Sequence, residues 1–134
     1  MSSMSKERIA YVMPINTDDP EHASPLLVYD VDELPVIEDL HFTVFMLGLT
    51  EGEQYWLAAQ ILHENKPIHK EAGVWVRAKL NYGNPDDVAA SVNMHFERCV
   101  FDKQGNYLIK VSLKRDGEVL HESGAYFRIS LNER

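Results

Sequence analysis

An all-β chain, folded as an antiparallel sandwich of seven or eight strands, is what three observations on these 134 residues predict. Apolar residues alternate with polar ones at period two in several stretches. Turn residues interrupt those stretches about every ten positions. The segment 101–131 also reads almost residue by residue as a closing hairpin.

In that hairpin Tyr107, Ile109, Val111 and Leu113 alternate with Leu108, Lys110, Ser112 and Lys114. Asp116-Gly117 follows, the pair best suited to the positive φ angles of a type I′ turn. A two-residue loop there sets Leu113 opposite Leu120. Beyond it the parity of the apolar residues changes, since Ala125, Phe127, Ile129 and Leu131 fall on odd positions. A slip of one residue turns a whole face over, so one extra residue must be absorbed, and Ser123-Gly124 is the expected bulge. Ile109 then pairs with Ala125, and Tyr107 with Phe127.

The remaining elements follow in order. Residues 1–24 read as a loosely held acidic lead-in to a sandwich domain at 25–134, although Ile9–Ile15 has the composition of an edge strand. Leu26, Leu27, Val28 and Val31 make a short apolar run. Leu40–Leu47 is a strand with apolar residues on both faces, as in a strand covered twice or at a subunit contact. Gly48–Gly52 turns the chain into Gln54–His63, where strand is preferred to helix because the segment is short and bracketed by turns. Val74, Val76, Ala78 and Leu80 alternate in the next strand. Asn84-Pro85-Asp86-Asp87 has the cap, proline and acids of one short helical turn. Val92, Met94 and Phe96 restore the alternation up to Val100.

Phe101, Asp102, Gly105 and Tyr107 resemble the tyrosine corner of immunoglobulin-like sandwiches, in which a tyrosine near the start of a late strand bonds upstream backbone. The Gly-x-Tyr entrance and Asp-Gly turn are similar to those of small bacterial β-sandwich families of unknown function. That resemblance implies a fold and a hydrogen bond from Tyr107, and no activity. The inter-sheet cysteine pair of antibody domains is missing, because Cys99 is the only cysteine.

One cysteine and no apolar signal core lead to the expectation of a cytoplasmic protein. The net charge is −8, with nine acids against two bases in residues 1–39. An acidic chain without a basic stripe is a poor ligand for nucleic acid or an anionic membrane. His63 and His69 flank one turn with Glu64 nearby, two ligands where zinc takes three or four, while His41, His95 and His121 fall on polar faces of strands and are expected to stay apart. Asp18, Asp19, Asp30, Asp32, Glu33, Glu38 and Asp39 lack calcium-loop spacing. Cys99 reads as a small buried hydrophobe. No nucleophile elbow or phosphate loop is present. No catalytic residue, metal or cofactor is therefore expected, and a hydrolase assembled from His and carboxylates ranks last.

The informative irregularity is apolar residues on outer faces. Phe45, Trp56, Trp75, Leu108 and Tyr126, with Leu62, point away from their strands' main apolar sets. Such residues gathered together mark a protein contact. The expected function is contact with a protein partner or with a second copy. The alternative is a small-ligand or glycan-binding sandwich in which Tyr82 and Trp75 stack on the ligand.

Overall fold

The computed structural model describes residues 5–16, 24–79 and 83–132. Its strands are β1 (Arg8–Asn16), β2 (Ser24–Pro25), β3 (Val28–Val31), β4 (Val36–Leu49), β5 (Gln54–His63), β6 (Lys66–Pro67), β7 (Ala72–Arg77), β8 (Val88–Phe101), β9 (Gly105–Arg115) and β10 (Glu118–Leu131). Eight of these are longer than two residues, in line with the expected number. One sheet runs β2-β1-β4-β8, and the other runs β3-β10-β9-β5, with β5 pairing both β6 and β7. The fold is an immunoglobulin-like β-sandwich.

Every strand pair is antiparallel except β3 with β10, which is parallel. The second sheet is thus mixed, a correction to the purely antiparallel expectation. A second correction concerns Asn84. Its side chain accepts from Asp86 N–H (2.9 Å) and its carbonyl from Asp87 N–H (3.0 Å), but the chain enters β8 at Val88, so the cap closes a single turn and no helix follows.

The core lies between the sheets. Phe42, Val44 and Met46 of β4 and Phe96 of β8 are buried from one side; Tyr55, Leu57 and Ile61 of β5 and Ile109, Val111 and Leu113 of β9 are buried from the other. At one end Phe101, Tyr107 and Phe127 form an aromatic knot, with ring centroids 5.1–6.0 Å apart. The Tyr107 hydroxyl donates to the Lys103 carbonyl at 2.6 Å, which is the expected corner bond.

The hairpin has its expected turn, with φ of 53° at Asp116 and 81° at Gly117. Ile109 faces Ala125 and Tyr107 faces Phe127, also as expected. The extra residue is elsewhere. The register shifts between Val119 and His121, so Leu120 is the bulged residue and Leu113 stands opposite His121. Ser123 and Gly124 pair regularly. Gly124 is there for space: a Cβ would come within 2.9 Å of Leu108 Cδ1, which lies across it.

Within the lead-in, residues 5–16 are more ordered than composition suggests. β1 pairs with β4 over Arg8–Ile15 and buries Ile9 and Val12, so a boundary at residue 25 would cut through a sheet. Thr17–Ala23, within which Asp18 and Asp19 fall, lie outside the described residues, as do Leu80 and Tyr82.

Candidate interaction surface

The outward residues fall into three groups on two sheets. On the outer face of the six-stranded sheet, Trp75 of β7 and Trp56 of β5 are directly opposed, and Lys114 of β9 continues their row. The indole centroids are 4.8 Å apart with planes inclined at 60°. Trp75 is 62% exposed. Trp56 is half-buried because it lies on Gly73, where a Cβ would stand 2.0 Å from Cζ2. At the other end of the same face Leu62, Leu108 and Tyr126 form a row across β5, β9 and β10, with Tyr126 68% exposed. A polar band separates the two rows, held by the Lys110–Glu122 ion pair at 3.4 Å. The outer face therefore carries two apolar islands rather than one patch.

Phe45 belongs to the four-stranded sheet and faces the opposite way. It pairs with Tyr11 of β1 (4.6 Å between centroids) and stands opposite Ser91 of β8. Tyr11 and Leu47 are more than half exposed beside it. Tyr11 escapes a period-two reading because a register shift between Ile9 and Tyr11 changes the parity of β1.

β8 forms the edge of its sheet. Val88–His95 contains no Lys, Arg, Asp, Glu or Pro, the residues with which natural edges are usually protected. Farther on, Arg98 with φ of 52° forms a bulge against Glu38 and Leu40, and Asp39 Oδ1 accepts its N–H at 2.8 Å. The His69 ring reaches the Glu97 carbonyl at 2.7 Å, which covers that end of the edge.

Among the described residues the histidines do not assemble into a centre. His63 stacks on Tyr107 at 4.4 Å and its Nδ1 meets the Asn106 carbonyl, so His63 and His69 are engaged on different strands. His41 and His95 do meet, stacked at 5.5 Å across β4 and β8, where separate positions had been expected. His121, expected on a polar face, turns inward with the bulge, and its Nδ1 accepts the Ile9 N–H at 2.9 Å. Among the described residues no three His, Cys, Asp or Glu are grouped to hold a metal ion. Cys99 is fully buried, and burial pushes its thiol pKa up to about 11.

A buried polar cluster went unread in the sequence. Glu7 is 2% exposed, and its Oε2 accepts from Arg115 Nη1 at 2.5 Å and from the Tyr55 hydroxyl at 3.1 Å. Tyr55 in turn accepts the Thr50 N–H at 2.9 Å. Burial is the main cause raising the Tyr55 pKa, and the neighbouring Glu7 charge adds to it. No spacing rule joins positions 7, 55 and 115; only the fold does.

No helix among the described residues is long and apolar enough to cross a membrane. No family profile and no curated protein matches the chain. Solved structures do. A bacterial adhesin from Mobiluncus mulieris, containing intramolecular disulfide, isopeptide and ester bond cross-links, superimposes with TM-scores of 0.60 and 0.62 in two crystal forms. Identity is 12% and 13%, over 94% and 96% of this chain. This chain spans 58% of the length of that adhesin structure. A CARDB domain from Pyrococcus furiosus, solved with di-metal ions, matches over 94% of this chain and 92% of its own length, at 10% identity and a TM-score of 0.48. At such identities the likeness to the adhesin is one of fold alone, and it is shared with the matched part of that adhesin structure.

Proposed function

We propose that this chain is a non-enzymatic interaction module that self-associates by pairing β8 with β8 of a second copy. The observation that carries the reading is the edge of β8, long and without charge over Val88–His95. An edge strand offers a row of N–H and C=O groups to any strand that approaches it. Antiparallel pairing about a two-fold axis is self-complementary, since the same patch serves both partners. The outward side chains at the edge, Ala89 and Ser91, are small and lie next to Phe45 and Tyr11. A second copy seated there covers that apolar patch while it extends the sheet.

Light scattering coupled to size exclusion tests this. The wild-type chain is expected as a dimer. Ala89→Lys with Asn93→Lys, both at exposed positions, is expected as a folded monomer, because four ammonium groups would face one another across the axis. A wild-type protein that is strictly monomeric at every concentration overturns the reading.

A second reading rests on a different observation, the row Leu62–Leu108–Tyr126 with its exposed tyrosine. Tyrosine is enriched at protein contacts because its ring is large and rigid and its hydroxyl tolerates water. A different protein docking there would leave the β8 edge free, and Tyr126→Glu would abolish its binding without changing the oligomeric state of this chain.

A further inference from the structure

We propose that the cleft between Trp56, Trp75 and the Asp116-Gly117 turn binds a saccharide, with pyranose rings stacked on the indoles. The cleft is lined by Gln54, Trp56, Trp75, Lys114, Asp116 and Gly117 and has a volume of about 530 Å³. That lies within the range of small-ligand sites, roughly 300–1,000 Å³.

Its chemistry is mixed in a particular way. A sugar ring presents flat C–H faces and a rim of hydroxyls, so it needs aromatic surface together with neutral or balanced hydrogen-bonding groups. The two indoles supply the first, and their 60° inclination makes a corner rather than a plane. Gln54 supplies an amide with both donor and acceptor, Lys114 donors, and Asp116 an acceptor. One cation and one anion leave no net charge to select an ionic ligand. A quaternary ammonium ligand would prefer an aromatic corner without a lysine, and nucleic acid is opposed by a net charge of −8.

The platform is fixed before any ligand arrives. Trp56 and Trp75 stand on hydrogen-bonded strands, and Gly73 lets the Trp56 ring lie against the sheet. Sites built on strands hold their geometry better than sites on loops. The cleft lies on the sheet opposite to the one that carries Phe45 and β8, so the proposal stands apart from the self-association reading.

The chain has only two tryptophans, and both line this cleft, so indole emission excited beyond the tyrosine absorption band reports on the site. Titration with cellohexaose, chitohexaose, mannohexaose and sialyllactose is expected to give a saturable change in emission with at least one of them. Trp75→Ala is expected to weaken that binding at least about tenfold. Gln54→Ala, which leaves both indoles in place, is expected to weaken it several-fold while the emission of the free protein stays as in wild type. A flat titration with all four sugars up to about 10 mM, weaker than any useful affinity, overturns the proposal. So does binding that Trp75→Ala and Gln54→Ala leave unchanged.

Discussion

Glu7 and Arg115, 108 positions apart in the chain, meet at 2.5 Å, and the carboxylate is almost wholly buried. The pair fastens the start of β1 to the tip of the closing hairpin. Ser5 Oγ donates to the Leu120 carbonyl and Ile9 N–H to His121, so the same two segments are tied three times.

Removing Arg115 leaves the Glu7 charge buried with only the Tyr55 hydroxyl. Breaking a fully enclosed pair costs about 3–5 kcal/mol; Arg115 is one-third exposed, so Arg115→Ala should cost about 2 kcal/mol. Urea unfolding should show it as a lower midpoint with an unchanged slope. Replacing Glu7 and Arg115 together by Gln and Met should restore part of the loss.

His121 makes stability depend on pH. Burial, and then the Arg8 charge, lower its pKa below the ordinary 6.5, and Nδ1 must be free of a proton to accept the Ile9 N–H. The unfolded histidine binds a proton more readily than the folded one. The contribution is therefore complete above about pH 6.5 and is lost as pH falls from there toward the lowered folded value. His121→Asn, which keeps an acceptor, should flatten the wild-type decline in stability between about pH 7 and pH 5.

Two glycines four residues apart should respond differently to alanine. Gly48 has φ of 72°, and a Cβ there would stand 2.4 Å from the Lys6 carbonyl oxygen. Gly48→Ala must displace the segment that carries Glu7 and should cost about 3 kcal/mol. Gly52 has φ of 85° with nothing within 4 Å of a Cβ, so Gly52→Ala should cost only about 1 kcal/mol of backbone strain. Thermal unfolding of the two variants checks the difference.

The corner bond offers a smaller and sharper test. Tyr107→Phe keeps the aromatic knot and removes the hydroxyl with its 2.6 Å bond to the Lys103 carbonyl. A loss of about 1–2 kcal/mol is expected. Tyr107→Ala, which also empties a fully buried site, should cost about 4 kcal/mol.

Cys99 should be silent toward thiol reagents. With its pKa pushed up to about 11, alkylation of the folded protein at pH 8 should run at least about a hundredfold slower than for free cysteine. Full reactivity should appear on unfolding.

Local chemistry explains which parts of this fold were legible. The strand Gln54–His63, the Asp116-Gly117 turn and the Tyr107 corner were readable because each rests on residues adjacent in sequence or on period-two burial. The bulge was legible as a necessity, since the parity of Leu120 and Phe127 disagrees, but not as a position. Gly124 drew it because glycine marks both bulges and close approaches, and here the approach of Leu108 is the reason. Asn84-Pro85-Asp86 begins a helix and a turn alike; only the strand that follows decides. On the surface, each outward residue could be named from its phase, but sorting Phe45 from Trp56 required knowing which sheet each strand joins. The Trp56–Trp75 pairing likewise depends on β7 lying beside β5, which no spacing states.

The threefold tie between residues 5–9 and 115–121 has a consequence for biosynthesis. As the chain leaves the ribosome, β1 can pair with β4, yet the Arg115 guanidinium that neutralises Glu7 and the His121 nitrogen that accepts the Ile9 N–H are made more than a hundred residues later. Until the last hairpin emerges, a half-built sheet with a carboxylate lacking its cation and with bare apolar strands is what a chaperone would meet. Truncation near the C-terminus should therefore leave an aggregating fragment rather than a smaller sandwich.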